Sequence, residues 1–148
     1  MADHLHKQIR TALETKLTGL ATSATRVYAN RVKVMTAANL PGLRISLAVE
    51  EADPATMHQP MLLERRLAAE IECCAKGTDT LDDTLDLMSK EVEVALASGI
   101  TVAGKTLYPI YRGMELELEQ AELVIGTKRL RYAIDFVALN TTPDQLST

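Results

Sequence analysis

Three histidines, two adjacent cysteines, one oddly placed arginine and several paired carboxylates are the residues here whose types and spacing could do chemistry. His4 and His6 lie two apart in a segment that reads as helical, so their rings diverge and do not readily share a metal; solvated histidines are the simpler reading, and His58 stands alone. Asp79, Asp82 and Asp83 have the composition of a cation site. They sit, however, where a helix begins, and carboxylates there answer the positive end of the helix dipole. Glu70 with Glu72, and Glu115 with Glu117, are paired as acid–base catalysis requires, but period-two spacing also places each pair on one solvated face of a strand. Cys73 and Cys74 are neighbours, so on a strand their thiols point to opposite faces, and neither a disulfide framework nor a Cys-x-x-Cys site is available. There is no Gly-rich phosphate loop, no Gly-x-Ser-x-Gly elbow and no His-Glu-x-x-His helix. No catalytic, metal or cofactor site assembles from these residues, and the expectation is a protein that is not an enzyme.

Arg65 falls on the apolar parity of a long strand pattern. A cation there must snorkel, pair with a carboxylate, or mark where the buried face ends. Two readings stand: a strand end near solvent, and an ion pair between subunits.

The elements that would position these groups follow from the apolar periodicity. Leu5, Ile9, Ala12, Leu13, Leu17 and Leu20 recur at three-to-four spacing, which predicts a helix with Asp3 as its N-cap and Gly19 near its end. Arg26 to Val32 reads as a short strand, Lys33 to Asn39 as irregular, and Leu40-Pro41-Gly42 as a turn. Leu43, Ile45, Leu47 and Val49 alternate with polar or small residues and predict a strand, followed by an exposed loop from Glu51 to Pro60. Leu63, Leu67, Ala69, Ile71, Cys73 and Ala75 then share one parity, against Glu64, Arg66, Glu70, Glu72 and Lys76 on the other. That is a strand with one buried face, as in an antiparallel sheet. A second helix opens at Thr78 to Asp83, buries Leu81, Leu85, Met88, Val92, Ala95 and Leu96, and closes at Gly99. Met114, Leu116 and Leu118 alternate with Glu115, Glu117 and Glu119, and Leu130, Tyr132, Ile134 and Phe136 alternate with Arg129, Arg131 and Asp135. These are two strands joined by a turn somewhere in Gln120 to Thr127, near Gly126, with the Glu row suited to pairing across to the Arg pair. The predicted architecture is α+β: a mainly antiparallel sheet with two helices packed on one face, one domain over residues 1–139, and a polar, loose tail over 140–148.

The whole chain sets further bounds. With 148 residues it fits one compact domain, and 47% apolar residues suffice for a core. One Phe, four Tyr and no Trp give little with which to stack bases, and a net charge of −4 is the wrong sign for a free-standing DNA-binding domain. No apolar run approaches the length of a membrane span and the N-terminus lacks a signal-peptide layout, so the expectation is a protein made in a reducing cytoplasm, with no membrane partner.

Three stretches in order carry a family likeness. Arg26-Val27-Tyr28-x-x-Arg31, then Leu40-Pro41-Gly42-Leu43-Arg44-Ile45, then Glu50-Glu51 resemble the opening of lambda-type phage tail terminator proteins, also called minor tail or tail completion proteins. The later half agrees: a long amphipathic strand to Cys74, the Leu81-Asp82-Asp83-x-Leu85-Asp86 helix with Glu91-Val92-Glu93, and Gly113-Met114-Glu115-Leu116-Glu117-Leu118 leading into a last strand. The resemblance spans roughly Leu5 to Val137. It implies a structural virion protein of a long-tailed phage (a siphovirus) that forms a homohexameric ring at the head-proximal end of the tail. Such a ring caps the tube, ends its polymerisation and offers a surface for head–tail joining. Its partners are further copies of itself, the tail tube protein, the head–tail connector or neck protein, and DNA that slides through the lumen without sequence recognition. Assembly takes place in the host cytoplasm.

Candidate interface residues are Arg65, Glu50, Glu51, Asp53, Glu115, Glu117 and Glu119. The last three have two readings, an acidic lumen wall that repels phosphate or a solvated face paired with Arg129 and Arg131. Two other functions stay open: a different neck or tube component, which in the case of a tube protein polymerises without limit, and a small oligomeric ligand-binding domain, which needs a deep pocket with convergent polar groups.

Overall fold

The computed structural model describes residues 3–29, 36–77, 79–120 and 124–147. The first helix, α1 (Leu5–Leu17), buries Leu5, Ile9, Leu13 and Leu17 completely, one residue per turn along a single stripe. Its cap is His4 rather than Asp3. The helix begins at Leu5, so His4 occupies the cap position, and its Nδ1 accepts the His6 N–H at 3.0 Å. Burial, with the nearby charges of His6 and Arg65, holds the His4 ring below its ordinary pKa, which favours the neutral, accepting form. Asp3 instead pairs with Lys7 at 3.1 Å.

Among the described residues, five strands form the sheet, in the order β1 (Val27–Tyr28), β2 (Gly42–Pro54), β3 (Leu62–Lys76), β7 (Val124–Leu139) and β6 (Ile110–Gln120). Only the β1–β2 pair is parallel; the other three are antiparallel. The strand expected over Arg26 to Val32 is described only as Val27–Tyr28, and its Arg31 and Val32 lie outside the described residues. So do residues 33–35 of the irregular stretch, whose end is a 3-10 turn at Ala37–Asn39. Thr78, expected at the start of the second helix, is likewise outside.

Long β3 runs through the middle, paired to β2 on one side and, over its whole length, to β7 on the other. The parity read from the sequence holds: Leu67, Ala69, Ile71, Cys73 and Ala75 are buried, facing Leu130, Tyr132, Ile134, Phe136 and Ala138 of β7 and Leu43 and Ile45 of β2 in one core. The second helix, α2 (Leu81–Ala97), completes that core with Leu81, Leu85, Met88, Val92 and Leu96, and packs over β3 and β7, while α1 covers β2. Both helices therefore cover one face, as expected for an α+β sandwich. Both stop just before the predicted glycines, Gly19 and Gly99, each at positive φ.

Several local expectations change. The loop predicted from Glu51 is strand as far as Pro54, because β2 keeps its ladder with β3 out to Leu63. A β-bulge between Leu47 and Glu50 reverses parity midway along β2: Val49 points out, 62% exposed, and Glu50 takes the inward place opposite Leu67. Alternation cannot register an inserted residue. Residues 121–123, within the expected Gln120 to Thr127, are outside the described residues; Gly126, expected near the turn, lies in β7 opposite Leu118. Its role is close packing, since a Cβ there would stand 2.9 Å from Leu85 Cδ1 and 3.0 Å from Leu81 Cδ2. A hairpin absent from the prediction, β4 (Ile100–Val102) and β5 (Lys105–Leu107), turns at Ala103-Gly104 with both residues at positive φ and packs against α1.

The polar stretch 140–147, read from its composition as a loose tail, runs back over the domain. Pro143 O accepts from the Leu5 N–H, Asp144 O from Gln8 Nε2, and the Ser147 N–H donates to Val137 O. Leu146 packs against the core.

Candidate assembly surfaces

At the α1 end of the sheet, the bulge in β2 and the parity of β3 turn Glu50 and Arg65 to the helix-covered side. Arg65 Nε and Nη2 donate to Glu50 Oε1 and Oε2 at 2.8 and 2.9 Å, a bidentate pair with side chains only 10 and 17% exposed. His6 Nε2 of α1 lies 2.9 Å from Glu50 Oε1, and the Arg65 guanidinium stands over the Phe136 ring at 5.3 Å. Burial pushes the Glu50 carboxyl up, but the hydrogen bonds from Arg65 and His6 outweigh it and hold it below the ordinary carboxylate value. Arg65 thus has its carboxylate within its own chain, and the cluster ties the start of α1 to the sheet. Only the bulge brings Glu50 and Arg65 together.

The other face of the sheet carries no helix and is laced by charge. Glu72, almost buried, accepts from Arg44 Nε and Nη2 at 3.1 and 2.7 Å. Arg129 sits at the centre: Glu72 and Glu70 approach it at 3.5 Å, Glu115 at 3.2 Å and Glu117 at 3.4 Å. Arg131 holds the other oxygen of Glu115. The Glu115–Glu117 pair and the Arg pair therefore meet across β6 and β7, and the face is mixed in charge at this point rather than uniformly acidic. Glu119 lies opposite Ile125 in the ladder, and its side chain is outside the described residues. Towards the far end of this face, Arg66 makes a bidentate pair with Asp135 at 2.8 and 3.0 Å, which draws the Asp135 carboxyl below its ordinary value. Glu51 lies opposite Arg66 there, and Asp53 directly opposite Glu64. Six of the seven candidate interface residues thus fall in three places: the Arg65–Glu50 pair on the helix side, Glu51 and Asp53 at one end of the open face, and Glu115 and Glu117 at its edge.

A further surface was not legible as such. Met114, Leu116 and Leu118 lie on the helix side of β6, in register with Leu130, Lys128 and Gly126, yet each is about half exposed. The cause is position: β6 is the last strand of the sheet, and α2 packs mainly over β3 and β7. Tyr111, at the start of the same row, stands edge-on to Tyr132, whose buried hydroxyl has no hydrogen-bond partner among the described residues. The signal in the sequence was the alternation itself, but it does not say whether a helix lies above the row.

Cys73 is buried and its thiol is pushed up to about 12 by that burial, so it offers no thiolate. Among the described residues, no three His, Cys, Asp or Glu side chains converge as a metal ion requires. Among the described residues, no helix is long and apolar enough to cross a membrane.

The sequence matches no protein-family model and no curated protein. In fold it is similar to a chain in the solved virion of a native gene transfer agent particle, with a TM-score of 0.50 and 17% identity over 86% of this chain and 94% of that one. At that identity the likeness speaks for the fold alone.

Proposed function

We propose that this chain is a structural protein of a phage-like virion and acts as a tail terminator: a ring, hexameric by the family likeness, that caps the tail tube at its head-proximal end, stops tube polymerisation and presents the head–tail joining surface. The observation that carries this reading is the shared fold with a chain of a virion over nearly the full length of both chains. The order of terminator-like motifs from Arg26 to Leu118 points the same way. The role is non-enzymatic. Every buried charge described above is used in pairing, and the thiols are sealed in the core.

A closed ring needs two different, complementary sides on each subunit, and an outer strand with a half-exposed apolar row is one natural candidate. Subunits join one another, the tube protein and the connector, while duplex DNA passes through the lumen without base-specific contact. Assembly takes place in the host cytoplasm.

The test is to add the purified chain to tube protein during polymerisation and measure tube lengths by electron microscopy. A terminator gives short, ring-capped tubes that no longer grow. If the chain itself builds tubes of unlimited length, it is a tube protein and the terminator reading fails.

A further inference from the structure

The backbone N–H groups of Leu5, His6 and Lys7 open α1 and have no helical carbonyl four residues earlier to accept from them. Each has an acceptor from elsewhere: Pro143 O for Leu5 at 3.0 Å, His4 Nδ1 for His6 at 3.0 Å, and His4 O for Lys7 at 2.9 Å. Gln8 Nε2 adds a cross-tie, donating both to Asp3 O ahead of the helix and to Asp144 O of the C-terminal stretch, at 2.6 and 2.8 Å. Of these acceptors only one can be switched off. A carbonyl oxygen keeps its lone pairs at neutral and mildly acid pH, whereas Nδ1 accepts only while it carries no proton.

We propose that His4 is a proton-operated catch on the start of α1: neutral, it closes the first turn of the helix beside the C-terminal stretch, and protonated, it lets that turn open. This goes beyond the virion reading and does not depend on it. Charged groups face the ring from α1, β2, β3 and the C-terminal stretch. His6, with its ring centroid 4.3 Å away, and Arg65 oppose a proton on His4, while Glu50 and Asp144 favour one. Asp3 and Lys7, also close by, answer each other at 3.1 Å. Burial is the largest influence, and with His6 and Arg65 it outweighs the two carboxylates, so the ring in the closed turn protonates below its ordinary value. In the open turn the ring regains that ordinary value, about 6.5. The open form therefore takes up the proton more readily, and the closed form loses ground as pH falls below about 6.5. The Glu50 and Asp135 carboxyls, held below their ordinary values, respond in a separate and more acid window.

Hydrogen exchange of the full chain, followed by mass spectrometry over the start of α1 at about pH 7.5 and pH 5 and corrected for the intrinsic pH dependence of exchange, tests this, with circular dichroism as the check on folding. His4 is exposed, so its variants fold. Between the two pH values the wild type should lose roughly fivefold in protection there, the worth of one N-cap hydrogen bond. His4→Asn supplies a capping oxygen that does not titrate, and its protection should stay high at both. His4→Ala, with no acceptor, should be poorly protected at both, which separates the loss of the cap from any other effect of acid. The inference is overturned if wild-type protection is the same at the two pH values. It is equally overturned if His4→Asn loses protection in acid as the wild type does, or if His4→Ala at pH 7.5 is as protected as the wild type.

Discussion

Glu50 and Arg65 form a bidentate ion pair although neither is the other's partner in the ladder: Glu50 lies opposite Leu67, and Arg65 opposite Ala52. The diagonal contact exists because the bulge after Leu47 swings Glu50 to the covered side of the sheet. It gives an internal reason for a cation on the apolar parity of β3.

Removing one partner of a largely buried pair strands the other charge, so Arg65→Ala is expected to cost about 3 kcal/mol. The Glu50→Gln variant is expected to be destabilised as well, and the double variant to cost less than the sum of the two. Denaturant unfolding of the purified chain and its variants reads this out. Strictly additive losses would show that the two side chains do not interact within one subunit.

The carboxyls of Glu50 and Asp135 are both held below their ordinary values by arginine partners. For an acid with a lowered folded pKa, the stabilisation is complete above the unfolded value of about 4 and is lost as pH falls through the folded value. Unfolding midpoints should thus be insensitive to these groups near neutrality and fall below about pH 4. In Arg65→Ala the Glu50 part of that acid-side loss should disappear. An unchanged acid profile would contradict the pairing.

Gly126→Val should be destabilising by about 1–3 kcal/mol, since its side chain would be driven into Leu81 and Leu85 under the start of α2. A turn glycine would behave differently: valine there would be tolerated whenever φ allowed it. Thermal melts of the variant distinguish the two, and an unchanged melting temperature would refute close packing at this site.

Glu115 and Glu117 are tied to Arg129 and Arg131, so their reversal to Lys should both loosen the β6–β7 ladder and turn this face basic. If the open face lines the ring's lumen, particles carrying Glu115→Lys and Glu117→Lys should keep intact rings but eject DNA more slowly. Ejection at the normal rate would take this face out of the lumen.

Much of the architecture was legible because periodicity reports burial directly. The stripes of Leu5 to Leu17 and Leu81 to Leu96, and the alternation from Leu63 to Ala75, each gave the right element and the right buried face. What failed were features that periodicity cannot encode. A bulge adds one residue and exchanges Val49 for Glu50, a change of face that no alternating pattern foretells. Glycine signals both turns and tight packing, which is why Gly126 read as the first and proved to be the second. The hairpin at Ala103-Gly104 joins strands of only three residues, too short to alternate convincingly. The exposed β6 row depended on strand order: Met114 to Leu118 has the same pattern as a buried strand, and only the sheet's edge leaves it open.

The central claim is that this chain closes on itself in a ring of fixed size that stops a tube. The most direct measurement is the native mass of the wild-type chain, taken alone and after mixing with tube protein. The account predicts a single closed species of fixed subunit number that binds tube ends and limits their length. A monomer that neither associates with itself nor binds tube ends would contradict it.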